Sequence, residues 1–510
     1  MNMNLKHTTV PRPLSWAFLV LASAVLAGCA TKPALIAPDQ RRTVDRALIE
    51  YPPGLRLQTV VRNLNCPTAI TFDQEGSLIV ADEGLSEEPH IFGFRTDGTT
   101  FEVYPREHKL FGKGEIRGPI GGMVAAYGRV YLLHRNEAGR GVITAIDYKG
   151  VMETVVGDLP AQGEHGVLDL VLNRFDGRLY FAIGSTTNSG VVGLDNWQQG
   201  WVDRYEFACD TPAVPYKLLG YRFDTPNPRA GMFGGSDIAV TGPFQPFDRS
   251  KTTWIQPPLN GKPTAAIYSV GITGGDLRLE AHGVRCARGL AFNDFGRLYA
   301  TNQGMELRGT RPVRDDSDSL IRIIRNTWYG WPDFSADLQP VTEHRFQPPG
   351  EMIIQTGYPE LSNLLDQQAS GLLRPDRATL LQAVFQPLSG AAKMDFVPSG
   401  GPLRTFYGSV IVALSGDTAP FATSGYPLVA PMGYKVVQVD VDNRTSRDFI
   451  FNASVANEDG KNSDVLYRPF DVKFGPDGSM YVLDIGRLDV KGGKIVPVGR
   501  SGKIMRMDAQ

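Results

Sequence analysis

Apolar residues along this chain fall in short alternating runs, each closed by a turn rich in Asp, Asn and Gly. Thr68–Phe72 is followed by a turn at Asp73–Gly76 and then by Leu78–Asp82. The same text returns as Gly289–Phe292, a turn ending at Gly296, and Leu298–Asn302. It returns again as Phe470–Phe474, a turn ending at Gly478, and Met480–Asp484. Weaker copies end at Leu133, Ile183 and Leu414. A period of two, broken by an Asp/Asn-Gly turn, predicts strand, tight turn, strand in each copy. One small sheet cannot bury both of its faces alone, so recurring hairpins of this kind stack around an axis.

Six copies predict an all-β, six-bladed β-propeller with long insertions between blades. Without the amino-terminal segment read below, this allows about 80 residues per blade, more than the ~40–50 of compact repeats. The excess is expected chiefly in residues 186–280 and 303–390. The 56 Gly and 36 Pro among 510 residues agree with many short strands rather than long helices. Lys+Arg total 52 against 54 Asp+Glu, so no basic excess exists to hold a phosphate backbone, and nucleic acid is an excluded partner.

The amino-terminal segment reads differently. Lys6 and Arg12 precede the apolar stretch Leu14–Ala27, which ends in Leu26-Ala27-Gly28-Cys29. This pattern predicts a secretory signal over residues 1–28. The Leu-Ala-Gly-Cys end resembles the bacterial lipobox, which implies cleavage before Cys29 and lipid on that residue. With Ala30 next, the resemblance implies a lipid anchor in the outer membrane facing the periplasm. Residues 29–50 are expected to be a tether and residues 51–510 the propeller, a single domain. In that oxidising compartment Cys66, Cys209 and Cys286 allow one disulfide. No CxxC, HExxH or GxSxG pattern occurs.

A stretch in the fourth copy carries more. It runs Gly283-Val284-Arg285-Cys286-Ala287-Arg288-Gly289-Leu290-Ala291-Phe292, then Asn302-Gln303-Gly304, then Asp318-Ser319-Leu320-Ile321, and closes with Tyr329-Gly330-Trp331-Pro332. Gly163-Glu164-His165-Gly166 stands before the Leu179–Ile183 strand, and Gly433–Val437 forms a third anchor. Together these resemble the glucose/sorbosone dehydrogenase family, the soluble sugar dehydrogenases that use pyrroloquinoline quinone (PQQ). The resemblance implies oxidation of a sugar, polyol or related aldehyde by hydride transfer to the quinone, with electrons passed to an external acceptor. It implies that His165 is the general base and that Arg285 stabilises negative charge on the quinone oxygen. Gln303 and Arg468 would bind the cofactor, and the carbonyls of Gly304 and Met305 would hold Ca²⁺. Cys286, Ile321 and Ser415 depart from the family's pattern, as does Phe385-Gln386-Pro387. A cofactor-free propeller that binds carbohydrate or a cell-envelope partner is the alternative. Asp315–Asp318 reads as a solvated acidic loop before a Ca²⁺ site, and Trp328, Tyr329 and Trp331 as packing before a sugar-stacking rim.

Overall fold

A computed structural model describes residues 33–104, 115–230, 236–249, 262–355, 360–426, 428, 430–453, 464–491 and 494–510. The expected signal segment and Cys29 lie outside the described residues. Antiparallel sheets form six blades in chain order, each entered by its innermost strand. These innermost strands are Ala69–Phe72, Arg117–Ala126, Val167–Asn173, Leu290–Phe292, Ala391–Phe396 and Pro469–Phe474. Each touches the next around the axis, and the last touches the first.

The turns are held by the residues the pattern pointed to. Asp73 Oδ1 accepts from the amides of Glu75 (3.0 Å) and Ser77 (2.7 Å), and Asn293 Oδ1 accepts from Phe295 (3.1 Å) and Arg297 (2.9 Å). A short side-chain acceptor thereby satisfies amides that the tight reversal would leave without a partner. The second strands Leu78–Asp82, Leu298–Asn302 and Ser409–Leu414 are buried throughout, because a neighbouring blade covers each face. Separate apolar clusters fill the interfaces between consecutive blades. One joins Leu133, Ile143 and Phe181 between the second and third, another Val80, Phe94 and Ile504 between the sixth and first.

The ring is closed by pairing the two ends of the chain. Leu55–Leu64 lies antiparallel to Gly502–Ala509, with Leu57 opposite Met507 and Val61 opposite Ile504. The expected tether is corrected from residue 33 onward. Ala34–Leu35 extends the sixth blade beside Leu55–Leu64, and Ile49–Glu50 extends the fifth beside Thr445–Asn452. Val44 and Ile49 are buried, so this segment contributes apolar surface to the fold. It also covers the outer edges of two sheets, which would otherwise present unpaired backbone groups.

The expected insertions are also redrawn. They lie within blades, not between them. Ala266–Gly271 and Arg278–His282 are the third and fourth strands of the third blade, and Ser317–Ile323 and Leu381–Pro387 those of the fourth. Between them, insertion residues Tyr216, Leu218, Phe244, Phe346 and Leu364 build an apolar cluster that includes Trp328 and Trp331. The tryptophans and Tyr329 are therefore core, at 4% exposure or less. Cys66, Cys209 and Cys286 are all free thiols, so the disulfide allowed by the count is not formed.

Closure through the first long strand generates a test. Leu57 is fully buried where the chain ends meet, whereas Leu373 is 84% exposed. Leu57→Ala should lower the free energy of unfolding by about 2–5 kcal/mol in urea titrations. Leu373→Ala should change it by less than ~0.5 kcal/mol.

Candidate functional site

Loops leading into five of the innermost strands, and Pro119–Gly121 within the second blade's own, reach one cavity of about 510 Å³ on the axis. Its wall takes Thr68, Ile120, His165, Arg288, Gly390 and Arg468, one from each blade. Convergence follows from topology: every blade begins its innermost strand at the same face of the disc, so the preceding loops share one mouth. Leu85, Ile120, Phe470, Leu488 and Ile495 give the wall an apolar side, and Glu164, His165, Arg288, Gln303, Glu306 and Arg308 a polar one.

His165 is held by a loop only glycine permits. Gly163 has φ +145°, and a Cβ there would stand 2.7 Å from the carbonyl oxygen of Thr186. Gly166 has φ +50°, and a Cβ there would stand 2.8 Å from the carbonyl oxygen of Ala161. Both substitutions would drive a methyl into backbone. The His165 side chain is 9% exposed, and its Nε2 is 3.7 Å from Glu164 Oε2. That nitrogen is buried and makes no hydrogen bond. An unpaired buried polar atom on a cavity wall marks where a ligand atom would be received. Burial first, and then the charges of Arg285, Arg288 and Arg308, hold the imidazole well below its ordinary pKa, so it is neutral near pH 7.

Arg285 is not on the wall. It is 2% exposed and fully engaged one layer behind. Its Nε donates to the Asn188 carbonyl (2.8 Å), Nη2 to Asn188 Oδ1 (2.8 Å), and Nη1 to the carbonyls of Gly304 (2.7 Å) and Gln303 (3.3 Å). Its expected contact with the quinone is corrected to the binding of two loops. The wall arginine is Arg288, three positions on. Its guanidinium lies 5.9 Å from the Phe470 ring and 3.7 Å from Cys286 Sγ, and no ion pair reaches it among the described residues.

Gln303 does reach the cavity, its Nε2 donating to the Ala391 carbonyl (2.9 Å) and its Oε1 accepting from Cys286 Sγ (3.4 Å). Cys286, the departure from the family's pattern, thus packs against a wall residue, whereas Ile321 is plain core. Ser415 lines the cavity. Gly304 lines it too, but its carbonyl accepts from Arg285. Met305 turns away: its side chain is 1% exposed in the insertion cluster, and its amide donates to Asp316 Oδ2 at 2.7 Å. Of the two carbonyls expected to hold Ca²⁺, that of Gly304 therefore already receives a buried guanidinium. No group of three metal-ligating side chains gathers among the described residues.

Arg468 lines the cavity, and much of its hydrogen-bonding capacity is spent inside the protein. Nη1 donates to the carbonyls of Ser415 (3.1 Å), Gly416 (3.2 Å) and Asp417 (2.7 Å), and Nη2 to the Tyr434 hydroxyl (3.1 Å). The acidic run is not a solvated loop either. Asp316 and Asp318 are buried and accept backbone amides, Asp318 from Gly304 (2.9 Å) and Ala391 (2.7 Å). Burial pushes Asp316 up to about 7.

Sequence reading missed the densest charge cluster of the site. Arg308, 4% exposed, donates to Glu164 through both Nη atoms (2.9 and 2.6 Å), to Asp195 Oδ2 (2.6 Å) and, through Nε, to Glu306 Oε2. Its guanidinium also lies 4.8 Å from the Phe421 ring. Burial and the Glu164 charge raise Asp195 to about 6, against the pull of Arg308. The one signal for this cluster is Glu306-Leu307-Arg308, a charge pair that any exposed loop could carry.

The backbone behind His165 provides a test of the site's tolerance. A Cβ on Gly184 would stand 2.4 Å from His165 Cβ and 3.0 Å from Leu168 Cδ1. Gly184→Ala should cost about 1–3 kcal/mol in stability. It should also displace the imidazole, read as a shifted His165 signal in the NMR spectrum.

Solved structures share this architecture. The iodide structure of a Trichoderma reesei enzyme of Carbohydrate-Active Enzymes Family AA12 superposes with a TM-score of 0.52 at 13% identity, over 91% of this chain and 98% of that one. The holo form of the PQQ domain of a pyranose dehydrogenase from Coprinopsis cinerea gives 0.52 at 14% identity, over the same shares of the two chains, 91% and 98%. A calcium structure of the AA12 enzyme gives 0.50 at 14% identity, covering 91% and 98%. No family model and no curated protein matches the chain. At these identities the likeness is one of fold: the chain is a six-bladed β-propeller of the architecture that these proteins share.

Proposed function

We propose that the protein is a PQQ-dependent oxidoreductase acting on a sugar, polyol or related aldehyde at the axial cavity. The observation that carries this reading is His165, whose buried Nε2 has no hydrogen-bond partner within the protein and lies on the cavity wall. The fold shared with a PQQ domain and with AA12 supports it. PQQ carries three carboxylates on a fused planar ring system, and the wall meets these with Arg288 and the remaining donors of Arg468. A cavity of about 510 Å³ falls in the range of sites that enclose a small molecule. When bound, PQQ supplies the two-electron acceptor for the hydride leaving the substrate carbon.

The chain's own residues do the rest. His165 Nε2 takes the proton of the substrate hydroxyl, a task suited to an imidazole that is unprotonated before substrate arrives. Arg288 holds anionic charge at the wall. Arg285 acts at one remove, fixing Gln303 and Gly304 by their carbonyls. Leu85, Leu488 and Ile495 give the cavity apolar surface against which a ring system can pack.

Reconstitution tests this. Purified protein with added PQQ should reduce a dye acceptor when given an aldose. His165→Ala should lower turnover on the order of 10²–10⁴-fold and leave PQQ binding in place. Arg288→Ala should do the opposite, weakening PQQ by roughly 1.5–3 kcal/mol in a fluorescence titration. A folded chain that takes up no PQQ with or without Ca²⁺ would move the reading to a cofactor-free propeller that binds carbohydrate or an envelope partner.

The location is proposed with the function. Lipid on Cys29 would anchor the chain to the outer membrane, facing the periplasm and the external electron acceptor. Among the described residues no helix is long and apolar enough to cross a membrane. Cys29→Ser should release the protein from the membrane fraction and lower its mass by the lipid. Unchanged fractionation and mass would remove the anchor.

A further inference from the structure

The cluster around Arg308 poses a problem for the histidine it adjoins. Glu164 precedes His165 in the chain, and Glu164 Oε2 stands 3.7 Å from His165 Nε2. A carboxylate that close to an imidazole ordinarily draws a proton onto it. A protonated histidine cannot accept the proton of a substrate hydroxyl. Burial and the charges of Arg285, Arg288 and Arg308 work against that pull, and the arrangement of Glu164 weakens the pull itself.

Every part of the Glu164 carboxylate is taken by a donor other than His165. Oε1 accepts from Arg308 Nη1 (2.9 Å), from Gln199 Nε2 (3.3 Å) and from Asn196 Nδ2. Oε2, the oxygen that faces the histidine, accepts from Arg308 Nη2 at 2.6 Å. The carboxylate thus meets the guanidinium with both oxygens, the strongest geometry such a pair has. Arg308 is itself fixed by Asp195 and Glu306 and covered by Phe421. Its loop is tied back to Arg285 by Asn188, whose Nδ2 donates to the carbonyls of Glu306 (2.8 Å) and Arg308 (3.2 Å).

We propose that Arg308 is a positioning residue for the reaction: it binds the carboxylate that would otherwise pair with His165, and so keeps Nε2 free to receive the substrate's proton. This rests on the reading of His165 as the base. Four charged groups act on the imidazole: Glu164 on its own loop, Arg285 and Arg288 from the loop entering the fourth blade, and Arg308 from that blade's insertion. Asp195 and Glu306 reach it through Arg308. Of the four, only Glu164 draws a proton to the ring. The sign is therefore fixed. Removing Arg308 exposes His165 to an uncompensated anion, and the imidazole must become easier to protonate.

The experiment is an NMR titration of the full chain, labelled at histidine and without added cofactor, alongside the pH profile of kcat/KM in the PQQ-loaded enzyme. In the wild type, His165 should titrate below pH 6.5 and the acid limb of kcat/KM should lie there too. Arg308→Met should raise the His165 midpoint by one pH unit or more and carry the acid limb with it. Adding Glu164→Gln to that variant should restore the low midpoint, a reversal that a merely structural role for Arg308 would not produce. Arg308→Lys keeps a charge but loses the two-pronged grip, and should give a smaller rise. It carries the test if Arg308→Met does not fold. An unmoved midpoint in either folded variant overturns the proposal. The titration needs no turnover, so the two readings fail separately. A shifted midpoint with no dye reduction would spare the role of Arg308 and sink the dehydrogenase. Dye reduction with an unmoved midpoint would do the reverse.

Discussion

Buried carboxylates that reach from one blade into the next are the constraint on which the rest of this structure depends. Asp169 Oδ2, on the third blade's innermost strand, accepts the amide of Leu290 at the start of the fourth (2.8 Å). Asp318 Oδ2 carries the fourth to the fifth through the Ala391 amide (2.7 Å), and Asp395 Oδ2 the fifth to the sixth through Phe474 (3.1 Å). Asp471 Oδ2 closes the sixth onto the first through Ile70 (3.0 Å). Innermost strands at the axis leave amides that no ladder partner can satisfy, and an orphaned buried amide costs about 1–3 kcal/mol. Lys393 and Lys473 stand among these carboxylates, with Lys393 Nζ 3.5 Å from Asp169 and Lys473 Nζ 3.4 Å from Asp471. Anions buried at that depth are costly without a counter-charge, and the two lysines supply it.

The site inherits its geometry from this axial network. Asp318 caps Gly304 as well as Ala391, so one carboxylate fixes both a wall residue and the next blade. Arg285, Asn188 and Arg308 then link that wall to the loop that carries His165. Side chains far apart in sequence are thereby held without a flexible segment between them. Such preorganisation suits the general base proposed at His165, whose proton affinity must stay low before substrate binds.

How much of this could be read in the sequence follows from the range of the forces involved. Strand pairs were legible because alternation and Asx turns are local: Asp73 and Asn293 stand where the pattern put them. The axial convergence of His165, Gln303 and Arg468 followed from the repeat itself. Arg285 and Arg288 could not be told apart, because both sit on one loop, and Asn188, the partner that draws Arg285 inward, lies in another blade's insertion. Arg308 was invisible for the same reason. Its worth lies in Glu164 and Asp195, more than a hundred residues away. The tether misread residues 33–50 because an edge strand of two residues leaves almost no periodic signal. The acidic run was misjudged because alternate carboxylates at Asp316 and Asp318 read as solvated until the amides they cap are known.

An experimental structure of the chain soaked with PQQ tests the central claim most directly. The account predicts a planar ligand across the axial cavity, with a carboxylate at Arg288, and a site for substrate carbon between the ring and His165 Nε2. Ligand bound elsewhere on the disc, or an axial cavity that stays clear of PQQ while His165 Nε2 finds a partner within the protein, would contradict it.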